Sequence, residues 1–365
     1  MSGPLLAAVR RRWPRPRVGE PTPPQPTIPP VVDAGPLQPL LDDPTVSDVL
    51  VNGPGPVWID RGAGPVRTTW RLDDARRLRE LATRLAAGCG RRLDDAHPFV
   101  DARLPDGTRL HAVLPPIAVD GPFLSLRPHR RRTLDLAALH RAGSLPGGSA
   151  DLVRAVITSR HPFLVTGGTG TGKTTLLAAM LAAVPGHERV VVVEDAAELA
   201  PRHPHTVCLQ TRGRNVEGAG GIGMSHLVRE ALRMRPDRIV IGECRGTEVV
   251  DLLTALNTGH DGGCGTLHAN SPADVPARLT ALALPAGLTG SALRALLAAA
   301  VHIVIHMRRE GGRRFVAEIG VLDAAGPGDG LTVVPGWRHD ATPVPGHRAL
   351  RRMLRSAGPG QPVTP

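Results

Sequence analysis

Aromatic residues are nearly absent from this chain. Its 365 residues include four tryptophans, four phenylalanines and no tyrosine, so the core must be built mainly from leucine, valine, alanine and isoleucine. Proteins that bind single-stranded nucleic acid stack bases on aromatic side chains. The net charge of +11 would suit nucleic acid or anionic lipid, but the arginines are scattered among carboxylates. The composition therefore argues against a nucleic-acid partner.

Cysteines are few, and long apolar runs are missing. The four cysteines lie far apart and form no C-x-x-C pair, which argues against a disulfide framework and a structural zinc site and favours a reducing compartment. No apolar run approaches the roughly 18 residues that suggest a membrane span. The short apolar stretch LLAAV near the N terminus lacks the layout of a signal peptide. We expect a cytoplasmic protein.

Lysine occurs once. Of the 44 basic side chains only Lys173 is a lysine, and the rest are arginine. It lies in TGGTGTGKTT, where residues 167–174 match the phosphate-loop pattern G-x-x-x-x-G-K-[ST] between an apolar strand and a helix. A compact ammonium can lie against the phosphates of ATP, whereas a planar guanidinium is too wide for the tight loop. This requirement explains why a chain that otherwise uses arginine retains lysine here.

The phosphate loop binds through its backbone. Its glycines let N–H groups converge on a phosphate, and the N-terminus of the following helix adds its positive dipole end. The predicted ATP-binding residues are Gly167, Gly168, Thr169, Gly170, Thr171, Gly172, Lys173, Thr174 and Thr175.

Acidic residues follow two apolar stretches. RVVVVEDAAEL places Glu194 and Asp195 at the end of a predicted strand with Glu198 close behind, and DRIVIGE ends in Glu243. The carboxyl ends of parallel strands meet at one edge of an α/β sheet, where ligands bind. We expect Glu243 and Glu198 to be the candidates for activating water. Thr174, Glu194 and Asp195 are the expected Mg²⁺ residues, acting partly through water.

One residue that is usual in such sites is missing. The position before Glu243 holds Gly242 instead of an aspartate, which is a further reason to expect water-mediated binding of Mg²⁺. The stretch NTGHDGGCGTLHAN holds two histidines, His260 and His268. Their spacing of eight residues and the lack of a third ligand argue against zinc. Beside a nucleotide site, a sensing or positioning role is the better interpretation, and His268 is the catalytic candidate.

Composition and pattern divide the chain into five segments. Residues 1–35 are basic and proline-rich, which predicts a disordered arm. We expect a compact α+β domain over 36–140 and a linker over 141–150. Alternating apolar strands and helices over 151–323 predict a parallel sheet with crossovers. Residues 324–365 are rich in proline and glycine and predict a loose tail.

Three strand pairs are predicted within these segments. VSDVLVNG and PVWIDR are expected to be two strands joined by a Gly/Pro turn. FVDARLPDGTRLHAVLPP predicts a hairpin around its Asp-Gly turn. VHIVIHM and RRFVAEIGVL are expected to form a closing hairpin at the end of the larger domain.

Four stretches in this order resemble one family, the secretion ATPases of type II and type IV secretion and of type IV pilus assembly. GGTGTGKTTLL is similar to the Walker A motif of the family, VVVEDAAEL to its Asp box, ALRMRPDRIVIGECRG to its Walker B region and LNTGHDGGCGTLHANSP to its His box. VNGPGPVWIDR and DGPFLSLRP in the first domain are similar to the CpaF/TadA branch, which serves tight-adherence (Flp) pili.

The resemblance implies a fold and an activity. The fold would be a RecA-like P-loop NTPase domain with a smaller N-terminal α+β domain. Six chains would form a ring at the cytoplasmic face of the inner membrane, and hydrolysis of ATP with Mg²⁺ would drive pilus assembly or secretion through membrane platform proteins. Membrane association would be peripheral, through these partners.

The resemblance also implies residue roles. The Walker B glutamate falls on Glu243 and the Asp-box glutamate on Glu198. Phosphate-contacting arginines of the first domain fall among Arg103, Arg109 and Arg127. Three other functions stay open: a conjugation-associated or RecA-like nucleic-acid motor, a nucleotide-binding scaffold without turnover, and a small-molecule kinase.

Overall fold

Two β-sheets organise the chain. The computed structural model describes residues 33–128, 134–213, 220–288, 290–326 and 330–356. Most of the predicted basic arm, up to residue 32, lies outside the described residues. No helix in the described ranges is long and apolar enough to cross a membrane.

The first sheet is antiparallel throughout, with strand order β3-β2-β1-β6-β5-β4. Its elements are a 3-10 turn (Gly35–Leu37), α1 (Gln38–Asp42), β1 (Asp48–Asn52), β2 (Gly55–Asp60), β3 (Pro65–Leu72), α2 (Ala75–Gly88), β4 (Phe99–Arg103), β5 (Arg109–Val113) and β6 (Phe123–Arg127). The two predicted strand pairs are confirmed as β1–β2 and β4–β5. Strand β6 joins them into one sheet by pairing with both β1 and β5.

Burial alternates along these strands because only one face is covered. Helix α2 packs its leucines on that face, where they meet the valines of β1 and the leucines of β6. Asp74 caps the helix by accepting hydrogen bonds from the N–H groups of Arg76 and Arg77, which is the preferred chemistry at a helix start. The opposite face of the sheet carries polar and charged side chains such as Asp48, Arg109 and His111, together with Leu50 and Trp58.

The second sheet has the order β14-β13-β12-β7-β11-β10-β8-β9. Its strands are β7 (Phe163–Gly167), β8 (Val190–Glu194), β9 (Thr206–Gln210), β10 (Arg238–Cys244), β11 (Cys264–His268), β12 (Ile303–Glu310), β13 (Arg313–Gly326) and β14 (Gly330–Arg338). The six strands β12, β7, β11, β10, β8 and β9 run parallel to one another. Strands β13 and β14 extend the β12 edge of the sheet with antiparallel pairing. The predicted closing hairpin is confirmed as β12–β13.

Helices cover both faces of this sheet, as its continuous apolar strands require. They are α3 (Leu136–Arg141), α4 (Ser149–Thr158), α5 (Lys173–Ala182), α6 (Met224–Leu232), α7 (Glu248–Asn257), α8 (Val275–Ala283), α9 (Gly290–Ala300) and α10 (His347–Ser356), with 3-10 turns at Pro272–Asp274 and Leu284–Ala286. One core joins α3, α4, α5 and α10 to the sheet, and a second core joins α6 to α9.

The structure moves two of the predicted domain boundaries. Leu136, Leu139 and Leu145 are buried in the core of the second domain, so this domain begins near residue 134 and not at 151. The expectation of a loose tail is wrong for residues 330–356: β14 extends the sheet, and Leu350 of α10 is buried in the core. Valines of β14 and leucines of α10 supply these contacts. They showed no sign in the sequence because the segment is rich in proline and glycine.

Candidate active site

A cleft of about 410 Å³ separates the two domains. It lies at the carboxyl ends of the parallel strands, because the phosphate loop follows β7 while Glu243 and His268 lie at the ends of β10 and β11. His268 pairs in register with Gly167, the first residue of the loop. Side chains of the first domain close the other side of the cleft. The predicted strand-end residues are therefore brought together, and the first domain faces them.

The backbone of the phosphate loop requires glycine at its first position. Gly167 has a φ of +145°, and a Cβ atom there would lie 2.4 Å from the carbonyl oxygen of Met307 on the neighbouring strand β12. The loop then turns into α5, whose first residue is Lys173. The start of this helix lies at the cleft, which Lys173, Thr174 and Thr175 line. Such a helix start favours an anionic group.

Lys173 is held inside the loop. Only 7% of the residue is exposed, and its Nζ donates to the carbonyl oxygens of Gly167 at 3.0 Å and Gly168 at 2.9 Å. Burial lowers the pKa of Lys173, and the nearby Glu243 carboxylate opposes that shift. The ammonium occupies a narrow space between two carbonyl groups, which a wider guanidinium does not match.

Glu243 lies between two basic side chains at the cleft. Its Oε2 is 2.7 Å from Arg245 Nη2, and its Oε1 is 2.7 Å from His268 Nε2 in an orientation that forms no hydrogen bond. Oε1 is buried and has no hydrogen-bond partner among the described residues. Burial lowers the pKa of His268, with Lys173 as a further cause. Glu243 therefore holds a buried carboxylate oxygen beside the phosphate loop, in close contact with His268.

Glu194 lies behind the cleft and holds a loop. The residue is 3% exposed, and its Oε1 accepts hydrogen bonds from the backbone N–H groups of Glu198 and Leu199, both at 2.9 Å. Burial raises the pKa of Glu194 to about 7. The same packing explains why Gly242, and not an aspartate, precedes Glu243. A Cβ on Gly242 would lie 2.5 Å from Glu194 Cγ.

The expected Mg²⁺ residues occupy different environments. Thr174 lines the cleft, whereas Glu194 and Asp195 are not among its lining residues. Asp195 is exposed and accepts a hydrogen bond from Thr211 Oγ1 at 2.7 Å. Glu194 Oε2 is buried without a hydrogen-bond partner among the described residues. Their roles as Mg²⁺ residues stay predictions.

The three candidate arginines of the first domain form a row. Arg103 pairs in register with Arg109 across β4 and β5, and Arg109 pairs with Arg127 across β5 and β6. All three line the cleft opposite the phosphate loop. Like charges directly opposite one another destabilise a sheet, and an anion between the domains would reduce this repulsion.

Two members of the arginine row contact the loop that follows β8. Arg103 Nη1 donates to the carbonyl oxygen of Ala197 at 2.6 Å, and Arg109 Nη1 lies 3.3 Å from Glu198 Oε1. Arg109 is also 3.9 Å from Asp101. Glu198 therefore reaches the cleft from the second domain and meets the first domain there.

A Mg²⁺–ATP complex fits this arrangement. Burial lowers the pKa of Arg103, and its buried Nη2 lacks a hydrogen-bond partner among the described residues, as does Glu243 Oε1. One is a donor suited to a phosphate oxygen and the other an acceptor suited to a water. The described residues contain no cluster of three or more histidine, cysteine or carboxylate ligands for a metal ion.

Two further cleft residues escaped the sequence analysis. Arg245 lines the cleft and pairs with Glu243, and Arg314 lines it from β13 while its Nε donates to Gly170 O at 2.8 Å. The position of Arg245 two residues after Glu243 was an available signal. Arg314 had none, because nothing in the sequence distinguishes it from the other arginines. His260 lies away from the site: its Nδ1 is 3.1 Å from Ala255 O at the end of α7.

Comparison with known proteins assigns the chain to a family. The family model described as "Type II/IV secretion system protein" matches residues 31–318. The chain belongs to this family. A putative conjugal transfer protein of Mycobacterium tuberculosis is 54% identical over 331 residues, covering 88% of this chain and 93% of the relative.

Two more distant proteins support the family assignment and the fold. The type IV secretion system protein PtlH homolog of Bordetella bronchiseptica is 33% identical over 320 residues, covering 79% of this chain and 93% of the relative. The Legionella pneumophila ATPase DotB has a similar fold, with a TM-score of 0.55, 21% identity and coverage of 78% of this chain and 79% of that chain. The expected fold class, a RecA-like P-loop NTPase domain with a smaller N-terminal α+β domain, is confirmed for this secretion-family chain.

Proposed function

We propose that the chain is an ATP-hydrolysing motor that powers a secretion or pilus machine. The observation that carries this proposal is the cleft itself, in which the phosphate loop, Glu243 and a row of three first-domain arginines face one another. A site that draws its groups from two domains links the state of the nucleotide to the relative position of those domains, and such domain closure is what a motor requires.

The residues take separate roles in the reaction. The phosphate loop and Lys173 bind the β- and γ-phosphates. Glu243 Oε1 accepts a proton from the attacking water, whose oxygen bonds to the γ-phosphorus as the bond to the bridging oxygen of ADP breaks. Glu198 is the competing candidate for this proton transfer. Arg109 and Arg127 stabilise the negative charge that spreads over the γ-phosphoryl oxygens.

Four further residues assist these groups. His268, 2.7 Å from Glu243 and 3.4 Å from Lys173 Nζ, positions both. Thr174 offers its hydroxyl to Mg²⁺, with Glu194 and Asp195 contributing through water. When bound, Mg²⁺ neutralises charge on the β- and γ-phosphates.

The proposed machine is a homo-hexameric ring at the cytoplasmic face of the inner membrane. Its partners would be the membrane platform proteins of a type II or type IV secretion system or a Flp-type pilus. The family match supports a secretion role. The Flp pilus rests on the resemblance of VNGPGPVWIDR and DGPFLSLRP to the CpaF/TadA branch.

Conjugation is the second candidate. The observation that favours it is the 54% identity to a putative conjugal transfer protein. DNA transfer would then be the process that the motor powers. The scarcity of aromatic side chains argues that the chain itself does not grip single-stranded DNA.

One experiment tests the proposal. Phosphate release by the purified chain is measured with Mg²⁺–ATP, with and without single-stranded DNA, and the assembly mass is measured by light scattering. We expect turnover by an assembly of about six times the 38.5 kDa chain mass, unchanged by DNA. Absence of turnover in the assembled ring would support a nucleotide-binding scaffold, and strong stimulation by DNA would support a nucleic-acid motor.

A further inference from the structure

The turn between β12 and β13 carries an unusual concentration of arginine. Residues 308–314, here called the arginine hairpin, have the sequence RREGGRR. Gly311 and Gly312 form the turn, so Glu310 pairs with Arg313 and Arg309 with Arg314 across the strands. Arginines directly opposite one another repel and weaken the pairing. A like-charge pair beside a glycine turn needs a compensating interaction.

Three hairpin arginines find that compensation on backbone carbonyl groups. Each guanidinium donates to a glycine carbonyl oxygen in a different segment of the chain. The pairs are Arg309 with Gly62, Arg313 with Gly143 at 3.0 Å, and Arg314 with Gly170 at 2.8 Å.

These three glycines belong to three functional parts of the protein. Gly62 lies in the turn between β2 and β3 of the first domain, and Gly143 lies in the segment between α3 and α4 at the start of the second domain. Gly170 is in the phosphate loop. A single short hairpin therefore contacts the first domain, the α3–α4 segment and the nucleotide-binding loop at once.

The hairpin is also fixed directly to the base of the phosphate loop. Strand β12 pairs in parallel with β7, so that Met307 lies opposite Gly167. The stem of Arg314 packs against the loop further along, since its Cδ is 3.6 Å from the position of a Cβ on Gly172. If the loop shifts on binding phosphate, both Met307, just before the hairpin, and Arg314, near its turn, must therefore move with it.

From these contacts we infer that Arg309, Arg313 and Arg314 are positioning residues: Arg313 and Arg314 fix the hairpin on the second domain, and Arg309 sets the first domain, with its arginine row, over the phosphate loop. Arg309 and Arg313 do not line the cleft and act through the elements they hold. Arg314 lines it and ties the hairpin to the loop. This inference rests on the proposed ATPase function, and it adds to that function a physical link between nucleotide and domain position.

The hairpin supplies its own control residue. Arg308 lies on the same strand, is about half exposed and pairs with Glu310 at 2.9 Å. Its partner Glu310 belongs to none of the three parts that the other hairpin arginines contact. Arg308→Ala therefore removes the same charge from the same hairpin without touching the proposed link.

The first test compares kcat and KM for ATP in the full-length protein. Arg309→Ala and Arg313→Ala should each lower kcat about tenfold, since even a 1 Å misplacement of catalytic groups costs rate, while KM stays within about twofold. Arg309→Lys should recover most of the rate because an ammonium can still donate to Gly62 O. Arg308→Ala should match the wild type. Equal losses in Arg308→Ala and Arg309→Ala would overturn the inference.

The second test measures domain position without relying on turnover. Spin labels replace the exposed side chains of Arg76 on α2 and Asp151 on α4, Cys89 and Cys208 are changed to serine, and labelled chains are diluted into unlabelled ones. The parent should give one narrow distance distribution with a non-hydrolysable ATP analogue. Arg309→Ala and Arg313→Ala should broaden it, and Arg308→Ala should not.

The two readouts separate the possible failures. If the parent protein does not hydrolyse ATP, the proposed function fails, and the spin-label distances still decide whether the hairpin positions the first domain. If Arg309→Ala combined with Arg313→Ala leaves the distance distribution as narrow as in the parent, the hairpin is not a positioning element.

Discussion

The two sheets of this protein bury their strands differently. Strands β7 and β8 of the second domain are buried at every residue, because helices cover both faces. Strands β5 and β6 of the first domain alternate between buried and partly exposed residues, because α2 covers only one face. The first arrangement makes a rigid platform for binding ATP. The second leaves a polar face that can be placed against another domain.

This difference suggests a division of labour. The second domain holds the phosphate loop, Lys173 and Glu243, which are the groups needed to bind the nucleotide and to activate water. The first domain adds the arginine row, which matters when charge spreads in the transition state. Substitutions in the second domain should therefore affect binding, turnover or both, whereas those in the arginine row should affect mainly turnover.

The largest effect is expected at Lys173. Lys173→Ala and Lys173→Arg should both abolish hydrolysis and weaken binding of ATP, because the ammonium fits between the carbonyl oxygens of Gly167 and Gly168 and a planar fork does not. Phosphate release and binding of a fluorescent ATP analogue are the measurements. Wild-type turnover by Lys173→Arg would show that charge alone is required.

The arginine row comes next. Arg109→Ala and Arg127→Ala should keep the fold, the assembly and ATP binding, and at least one should lose roughly 10³-fold or more in kcat, as for loss of an arginine finger. Arg67→Ala is the matched control, since Arg67 is an exposed residue of the same sheet that does not line the cleft. If all three variants turn over alike, the row is an ordinary charged surface.

Glu243 and Glu198 are competing candidates for activating the attacking water. Loss of this role should lower kcat somewhat less than loss of the arginine row. Glu243→Gln should bind ATP normally and lose on the order of 10²–10⁴ in kcat, as for loss of a general base. Glu198→Gln should lose less, because Glu198 is exposed and pairs with Arg109, whereas Glu243 Oε1 is buried beside the phosphate loop. Single-turnover rates decide between them. Normal hydrolysis by Glu243→Gln with loss in Glu198→Gln would reverse the assignment.

The smallest expected effect concerns stability at Glu194. Its pKa in the folded protein, about 7, lies above the usual 4.5, so the stabilisation is complete below pH 4.5 and is lost as pH rises through 7. The free energy of unfolding should therefore fall by about 3 kcal/mol over that range relative to Glu194→Gln. Urea unfolding at pH 5 and pH 8 provides the comparison. Parallel pH profiles for the two proteins would contradict a buried, titrating Glu194.

Much of the second domain was predictable because its signals are local. A buried apolar strand followed by a glycine loop and a helix has few alternatives, and β7, β8, β10 and β11 all appear where the apolar stretches predicted them. Strand β9 and strand β14 were missed. Their residues are only partly buried, and β14 contains proline and glycine, so no periodic pattern marks them.

The site was only partly predictable for a different reason. Lys173, Glu243 and His268 are marked by motifs, which place Lys173 at a helix start and the other two at strand ends. The contact of Arg314 with the phosphate loop and the packing of Glu194 against Gly242 depend on register between distant strands. Such register is set by the whole sheet, and the local sequence around Arg314 or Gly242 does not encode it.

The central claim is that the first domain completes the catalytic site, and one measurement tests it most directly. A protein of residues 134–365 retains the whole core of the second domain, including Leu136 and Leu139, and lacks the arginine row. Its kcat and its affinity for a fluorescent ATP analogue are compared with those of the full chain. We predict affinity within a few-fold of the full chain and turnover lower by roughly 10³-fold. Full-rate hydrolysis by residues 134–365 would contradict the claim and make the first domain an adaptor.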